Sequence, residues 1–258
     1  MKQGMRILLV EDSDLLAGAV GRELEREYGH LVTAVRDPLG LDGLLDTERF
    51  DVAVVDLLYE HLNKDFDTLR LSGGLRIRGD ALLVSGLTAI RTLQSRPAPV
   101  PTVVWTSGEA NRRLHLLYSY QDLGVRSYCS KSPGTGRLDV LEAAARQAVA
   151  GAPYVDPVLN PYLPSGKARS TSRILLEDET KRAIWRAVAL GARTRQEIGA
   201  LAGYAPRTVG RLIPEMYQDL TEFDIGLPES RTPFVDLVRY AAGNWQFFLD
   251  EAVRAAYP

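Results

Sequence analysis

Short apolar runs alternate with segments of helical spacing along residues 1–150. Arg6-Ile7-Leu8-Leu9-Val10 predicts a strand that runs into acidic residues, and Leu15, Leu16, Val20 and Leu24 predict a helix over 15–28. His30 to Val35 predicts a strand, 38–46 a helix, and Phe50 to Asp56 a buried strand. Further on, Leu87 to Leu93 predicts a helix, Thr102 to Thr106 a strand, Arg112 to Leu123 a helix, Arg126 to Ser130 a strand and Arg137 to Val149 a helix. Strands that are apolar along their whole length need cover on both faces, and helices between them supply it. The pattern predicts an α/β domain over 1–150, built on a five-stranded, doubly wound parallel sheet.

One stretch breaks the rhythm. Asp56 and Gly86 are separated by 29 residues, long for a strand-to-helix connection. Within it, Leu69 to Arg78 alternates on either side of Gly73-Gly74, which predicts a hairpin. Residues 59–85 therefore read as an insertion at the carboxyl end of the central strand.

The pattern changes again after 150. Residues 151–173, with prolines at 153, 157, 161 and 164, predict a linker. Residues 174–220 predict an all-α domain: a helix over 178–190, then Thr194-Arg195-Gln196-Glu197 as a capping box opening a second helix through Ala202. Gly203-Tyr204 makes a tight turn, and Ala205-Pro206 opens a third helix. Ile184, Trp185, Val188, Ile198, Leu201, Val209, Leu212 and Ile213 are the candidate shared core. Two short helices joined by a tight turn make a helix-turn-helix. Pro214, eight residues into the last helix, predicts an interruption there. Residues 221–258 form a helical extension in which Val235, Leu237, Val238, Tyr240, Ala241, Trp245, Phe248, Leu249 and Val253 repeat at helical spacing. That face packs on its own chain or forms a dimer contact.

Composition narrows the partners. The chain has 258 residues, 45% hydrophobic and 25% charged, enough to build a buried core. No apolar run approaches a membrane span, and acidic residues follow the first strand too early for a signal peptide. A cytoplasmic protein with no membrane partner is expected. The single Cys129 excludes an internal disulfide, and three scattered histidines argue against a histidine metal site. The net charge of −2 hides a split: residues 165–218 carry ten basic residues against five acidic, and 219–258 carry three against seven. A basic helix-turn-helix block predicts binding to double-stranded DNA, with Arg207, Thr208 and Arg211 at the exposed start of the recognition helix. The arginines suit guanine edges or phosphates, and Thr208 suits a phosphate.

In an open parallel sheet, function collects at the carboxyl ends of the strands. Glu11 and Asp12 end the first strand, Asp56 the central one, Thr106 and Ser107 the fourth, and Lys131 the fifth. Three carboxylates at neighbouring strand ends need a cation between them, and an all-oxygen set favours Mg²⁺. A lysine opposite and a threonine hydroxyl suit an incoming phosphoryl group, which leaves Asp56 as the nucleophile that becomes an acyl phosphate. No general base appears beyond the acidic cluster, so an enzyme acting on other substrates is not expected.

LLVEDSD, then VAVVD ending at Asp56, then VVWTS, then SYCSKS resembles the receiver domain of two-component response regulators over about residues 5–150. The resemblance implies a flavodoxin-like fold, phosphorylation of Asp56 by a histidine kinase, and Mg²⁺ held by Glu11, Asp12, Asp56 and the main-chain carbonyl of Leu58. It implies that Thr106 is the switch hydroxyl, Tyr128 the switch aromatic and Lys131 the lysine of the site. RQEIGALAGYAPRTVGRLIPEMY resembles the second half of LuxR-type DNA-binding domains. Together the two imply a transcription regulator that acts as a homodimer. Leu57-Leu58-Tyr59-Glu60 departs from the receiver pattern, which has a proline and a glycine soon after the phosphoacceptor; Ser132 also separates Lys131 from Pro133. The rival readings are a receiver that senses a ligand or protein without phosphorylation, and an adaptor that does not bind DNA.

Overall fold

A computed structural model describes residues 4–59, 65, 68, 83–107, 112–131, 137–164, 170–223 and 232–257. The hairpin expected over 69–78, with Arg70, Arg76 and Arg78, lies outside the described residues. The chain divides into two compact units: Met1–Asn63 with Val84–Lys167, and Lys64–Leu83 with Ala168–Pro258.

The first unit is a parallel sheet of β1 (Arg6–Val10), β2 (Leu31–Val35), β3 (Val52–Val55), β4 (Thr102–Thr106), β5 (Ser127–Ser130) and β6 (Tyr154–Val155). Its strand order is β2-β1-β3-β4-β5-β6. The helices are α1 (Asp14–Tyr28), α2 (Leu41–Thr47), α3 (Gly86–Gln94), α4 (Arg113–Gln121) and α5 (Arg137–Val149). Ile7, Leu9, Val52, Val54, Val103 and Trp105 form one core with Ala17, Val20 and Leu24 of α1 and Leu141, Ala144 and Ala145 of α5. Leu8, Val10, Ala53, Val55 and Val104 are equally buried and point to the opposite face. That double burial explains why these strands carry no alternation.

The sheet has one strand more than the five expected. After α5, Gly151 turns the chain with φ +71°, and Tyr154-Val155 then pairs in parallel with Ser127-Tyr128. Asp156, buried, accepts from the Ser130 main chain at 3.3 Å and caps a 3₁₀ turn over Pro157–Tyr162. Part of the stretch read as linker is therefore regular structure tied to the sheet.

The second unit is helical: α6 (Thr171–Leu175), α7 (Glu179–Ala189), α8 (Arg195–Ala202), α9 (Pro206–Phe223), α10 (Pro233–Gly243), α11 (Trp245–Leu249) and α12 (Glu251–Ala256). Thr194 and Glu197 close the capping box at the start of α8. Gly203, with φ +78°, ends that helix and turns the chain into α9. A Cβ on Gly199 would lie 2.5 Å from the Tyr204 carbonyl, so the turn packs directly on the helix backbone. Ile184, Trp185, Val188, Ile198, Val209, Leu212 and Ile213 are buried, but Leu201 is 38% exposed. With Ile198 and Gly199 facing inward, 100° per residue leaves Leu201 about 110° from the middle of the buried face, on the flank of the helix.

Pro214 does not interrupt α9, which runs unbroken for 18 residues. Pro214 is exposed, so its ring adds no crowding to the core, and the helical bond it removes is to the carbonyl of half-buried Gly210. The extension completes the core of this unit. Phe248 stacks on Trp185 with centroids 5.0 Å apart, Tyr240 packs at 6.2 Å, and Leu237, Phe247 and Val253 are fully buried, although Val235 is exposed. Leu83, from the insertion, forms a parallel bridge with Asp250 and accepts from the Glu251 main chain at 2.8 Å.

Candidate functional site

Glu11, Asp12, Asp56 and Lys131, at the carboxyl edge of the sheet, each sit one or two positions beyond a strand. The main chain extends the ladder to hold three of them. Glu11 N–H donates to Val35 at 3.0 Å, Asp56 N–H to Val10 at 3.0 Å, and Lys131 N–H to Thr106 at 2.9 Å. Glu11, Asp12 and Asp56 are all buried, and one carboxylate oxygen from each lies within 4.8 Å of the other two. Glu11 Oε1 also accepts from the Ser13 main chain at 3.1 Å, and Asp56 Oδ1 from the Leu57 main chain at 2.8 Å.

Lys131 bridges the cluster. Its Nζ lies 2.6 Å from Glu11 Oε2 and 2.8 Å from Asp56 Oδ2, and 4.8 Å from the centre of the Trp105 ring. A second cation enters from the other side. Arg112, just before α4, places Nη1 3.6 Å from Asp56 Oδ1 and 3.4 Å from Thr106 Oγ1. Only 6% of Arg112 is exposed, and Thr106 is fully buried. Arg112 also helps burial to push His115 down to about 3, so that imidazole is neutral. Burial pushes the Asp56 carboxyl up to about 6 against the opposing pull of Lys131, and Glu11 adds to the rise.

The approach of α3 shapes the floor. Ser85 Oγ caps the helix by accepting from the Leu87 main chain at 3.0 Å. Gly86 N–H donates to the Leu57 carbonyl at 3.0 Å, and a Cβ on Gly86 would fall 2.0 Å from the Asp56 carbonyl oxygen. Only glycine lets this helix start against the main chain of Asp56. Leu58 and Tyr59 follow, both buried.

Tyr128 is fully buried on β5, and its hydroxyl pairs with Ser119 Oγ of α4 at 2.9 Å. Burial raises its pKa, so it is a neutral phenol. In the second unit, Arg207 and Arg211 are exposed on the first turns of α9, and Thr208 is half-buried. Arg211 makes a loose surface pair with Glu215 at 3.6 Å.

The structure thus brings Glu11, Asp12, Asp56, Thr106 and Lys131 into one pocket and adds Arg112. Periodicity gave no reason to single out Arg112, which read as the first residue of a helix. Its place just after the strand that carries Thr106, on the edge where the acids gather, was the available clue. Three buried carboxylates form a hard, all-oxygen donor set of the kind Mg²⁺ takes.

The fold has counterparts among solved structures. RcsB, solved as two dimers bound to two parallel DNAs, is similar over 92% of this chain and 98% of its own, with 16% identity and a TM-score of 0.50. RcsB from Salmonella enterica serovar Typhimurium, bound to a promoter with a phosphomimetic, is similar over 92% and 99% of the chains, with 15% identity and a TM-score of 0.47. A LuxR-family response regulator from Aurantimonas sp. SI85-9A1 is similar over 62% and 95%, with 19% identity and a TM-score of 0.46. No family model matches the chain, and no curated protein matches it in sequence. The likeness is one of fold: a parallel-sheet α/β unit combined with a helical unit. Among the described residues, no helix is long and apolar enough to cross a membrane.

Proposed function

We propose that this protein is a response regulator in which phosphorylation of Asp56 controls the binding of DNA by α8 and α9. The observation that carries the reading is the meeting of Glu11, Asp12, Asp56, Thr106 and Lys131, from four strand ends, in one buried pocket. Glu11, Asp12, Asp56 and the Leu58 carbonyl would hold Mg²⁺. When bound, the ion neutralises phosphoryl oxygens during transfer. Asp56 attacks the phosphorus of a kinase phosphohistidine; the phosphorus–nitrogen bond breaks, and the imidazole leaves with the bonding pair and takes up a proton. Lys131 follows the developing charge with its ammonium, and Thr106 donates its hydroxyl to a phosphoryl oxygen. Tyr128 and α4 then carry the change to the face formed by β4 and β5, where two copies associate. RcsB, of like fold, was solved as dimers on DNA, which supports the same role here.

The test is labelling with acetyl phosphate and Mg²⁺. A hydroxylamine-sensitive phosphoryl group located at Asp56 is expected, and labelling that ignores Mg²⁺ or falls elsewhere overturns the assignment. A rival reading, a receiver that responds to a ligand or protein without phosphorylation, draws on the two cations that already face Asp56.

The DNA-binding half has its own check. Affinity for duplex DNA is expected to fall linearly with salt on logarithmic axes. Arg207→Ala and Arg211→Ala should each reduce the magnitude of that slope by about 1 if the residue holds a phosphate. Affinity that does not change with salt would remove the DNA assignment and favour an adaptor.

A further inference from the structure

We infer that Arg112 is a phosphoryl-binding residue, whose guanidinium passes from Asp56 Oδ1 and Thr106 Oγ1 to the oxygens of the phosphoryl group that Asp56 acquires. The inference rests on Asp56 being the phosphoacceptor and adds a role that the resemblance does not assign.

Three features of the pocket support it. The first is position. Nη1 lies 3.6 Å from the Asp56 carboxylate and 3.4 Å from the Thr106 hydroxyl, so one nitrogen faces both the acceptor and the hydroxyl assigned to a phosphoryl oxygen. Both contacts are long for a charge-assisted hydrogen bond, which is closest near 2.8 Å. The second is division of labour. Lys131 is tightly engaged with Glu11 and Asp56, at 2.6 and 2.8 Å, and acts as a point charge on one side. Arg112 stands near the other oxygen of Asp56 and brings a planar fork that matches two oxygens at once.

The third is charge. The pocket holds three carboxylates and two cations. Adding a divalent ion makes it cationic, and replacing the Asp56 monoanion by an acyl phosphate dianion brings it to balance. Without Arg112, the phosphorylated, metal-bound pocket is left with an uncompensated negative charge in a buried place, where such a charge is expensive.

The same geometry predicts opposite effects on two ligands. Arg112 repels a metal ion but attracts a phosphoryl group. In the full-length protein, calorimetric titration of Arg112→Gln should show Mg²⁺ binding several-fold tighter than wild type, because a nearby positive charge is gone. Beryllofluoride, added at saturating Mg²⁺, should bind roughly 10- to 100-fold more weakly, the range of a lost charge-assisted contact. Arg112→Lys keeps the charge and loses the fork, so Mg²⁺ affinity should match wild type while beryllofluoride still binds several-fold more weakly. A strut that only supports the pocket would weaken both ligands together.

Wild-type protein that takes up no beryllofluoride would overturn both the Asp56 assignment and this inference. Wild-type binding that disappears in Asp56→Asn, with Arg112→Gln and Arg112→Lys both binding beryllofluoride as tightly as wild type, would overturn the inference alone. Mg²⁺ and beryllofluoride weakened alike in Arg112→Gln would do the same. Should the glutamine variant fail to fold, Arg112→Lys decides by the same comparison.

Discussion

Asp56→Asn is expected to abolish phosphoryl incorporation and, in metal-free buffer, to make the protein more stable near neutral pH. The first effect follows from chemistry, since an amide has no carboxylate oxygen to attack phosphorus. The second follows from the cost of the buried charge. The Asp56 carboxyl is pushed up to about 6 by burial, even with Lys131 beside it. A folded carboxyl that holds its proton more tightly than the unfolded chain does loses stability as pH rises through the interval between the two values. Well below about pH 4, Asp56 is neutral in both states, and the titration adds no difference between variant and wild type. Above about pH 6 the wild type bears the full penalty, on the order of 2–3 kcal/mol, and asparagine bears none. Denaturant unfolding from about pH 4 to about pH 7.5, with a chelator present, measures the gap. A gap that shrinks with rising pH would show that the cations more than offset the desolvation of Asp56. Mg²⁺ should narrow the gap, because a bound cation favours the ionised form.

Gly86→Ala is expected to be severely damaging to the first unit. The added Cβ would lie 2.0 Å from the Asp56 carbonyl oxygen and 2.8 Å from Leu57 Cα. Both neighbours are backbone, so neither can rotate aside. Either α3 is displaced or the main chain of Asp56 is, at a cost of about 4 kcal/mol or more, the upper end of what overpacking does. Gly43→Ala provides the control. It lies in α2 with nothing within 4 Å of its Cβ, and the change should be neutral or stabilising by about 0.5–1 kcal/mol. A Gly86→Ala melting temperature indistinguishable from that of Gly43→Ala would show that α3 does not bear on Asp56 as described. Any soluble Gly86→Ala protein should also bind beryllofluoride poorly, since the loop that carries Asp56 has moved.

The parts of the fold that were legible are those fixed by local pattern. The strand over Thr102–Thr106 and the helix over Arg137–Val149 have the expected bounds, because an apolar run or a 3.6-residue repeat encodes each within a few residues. The capping box at Thr194 was equally plain. β6 was hidden because two residues among prolines carry no period, and only pairing with β5 makes them a strand. Pro214 misled for the opposite reason: a strong local rule yielded where the ring is exposed to solvent. Leu201 misled because helical spacing alone does not say which side of a two-turn helix meets the core. In the pocket, acids at strand ends were visible as breaks in apolar runs. Arg112 was not, because nothing in the order of residues marks a loop side chain that folds back over a neighbouring strand end.

The bridge between Leu83 and Asp250 bears on how this protein can be taken apart. The second unit is assembled from Lys64–Leu83 as well as Ala168–Pro258, so it is not a contiguous cassette. Cutting the gene at residue 168 would deprive the Glu251 main chain of its Leu83 acceptor and would leave the amino-terminal piece carrying a segment made for the other half. A fragment that starts at Ala168 would lack this pairing, so the helical half is not expected to transfer intact as one contiguous piece.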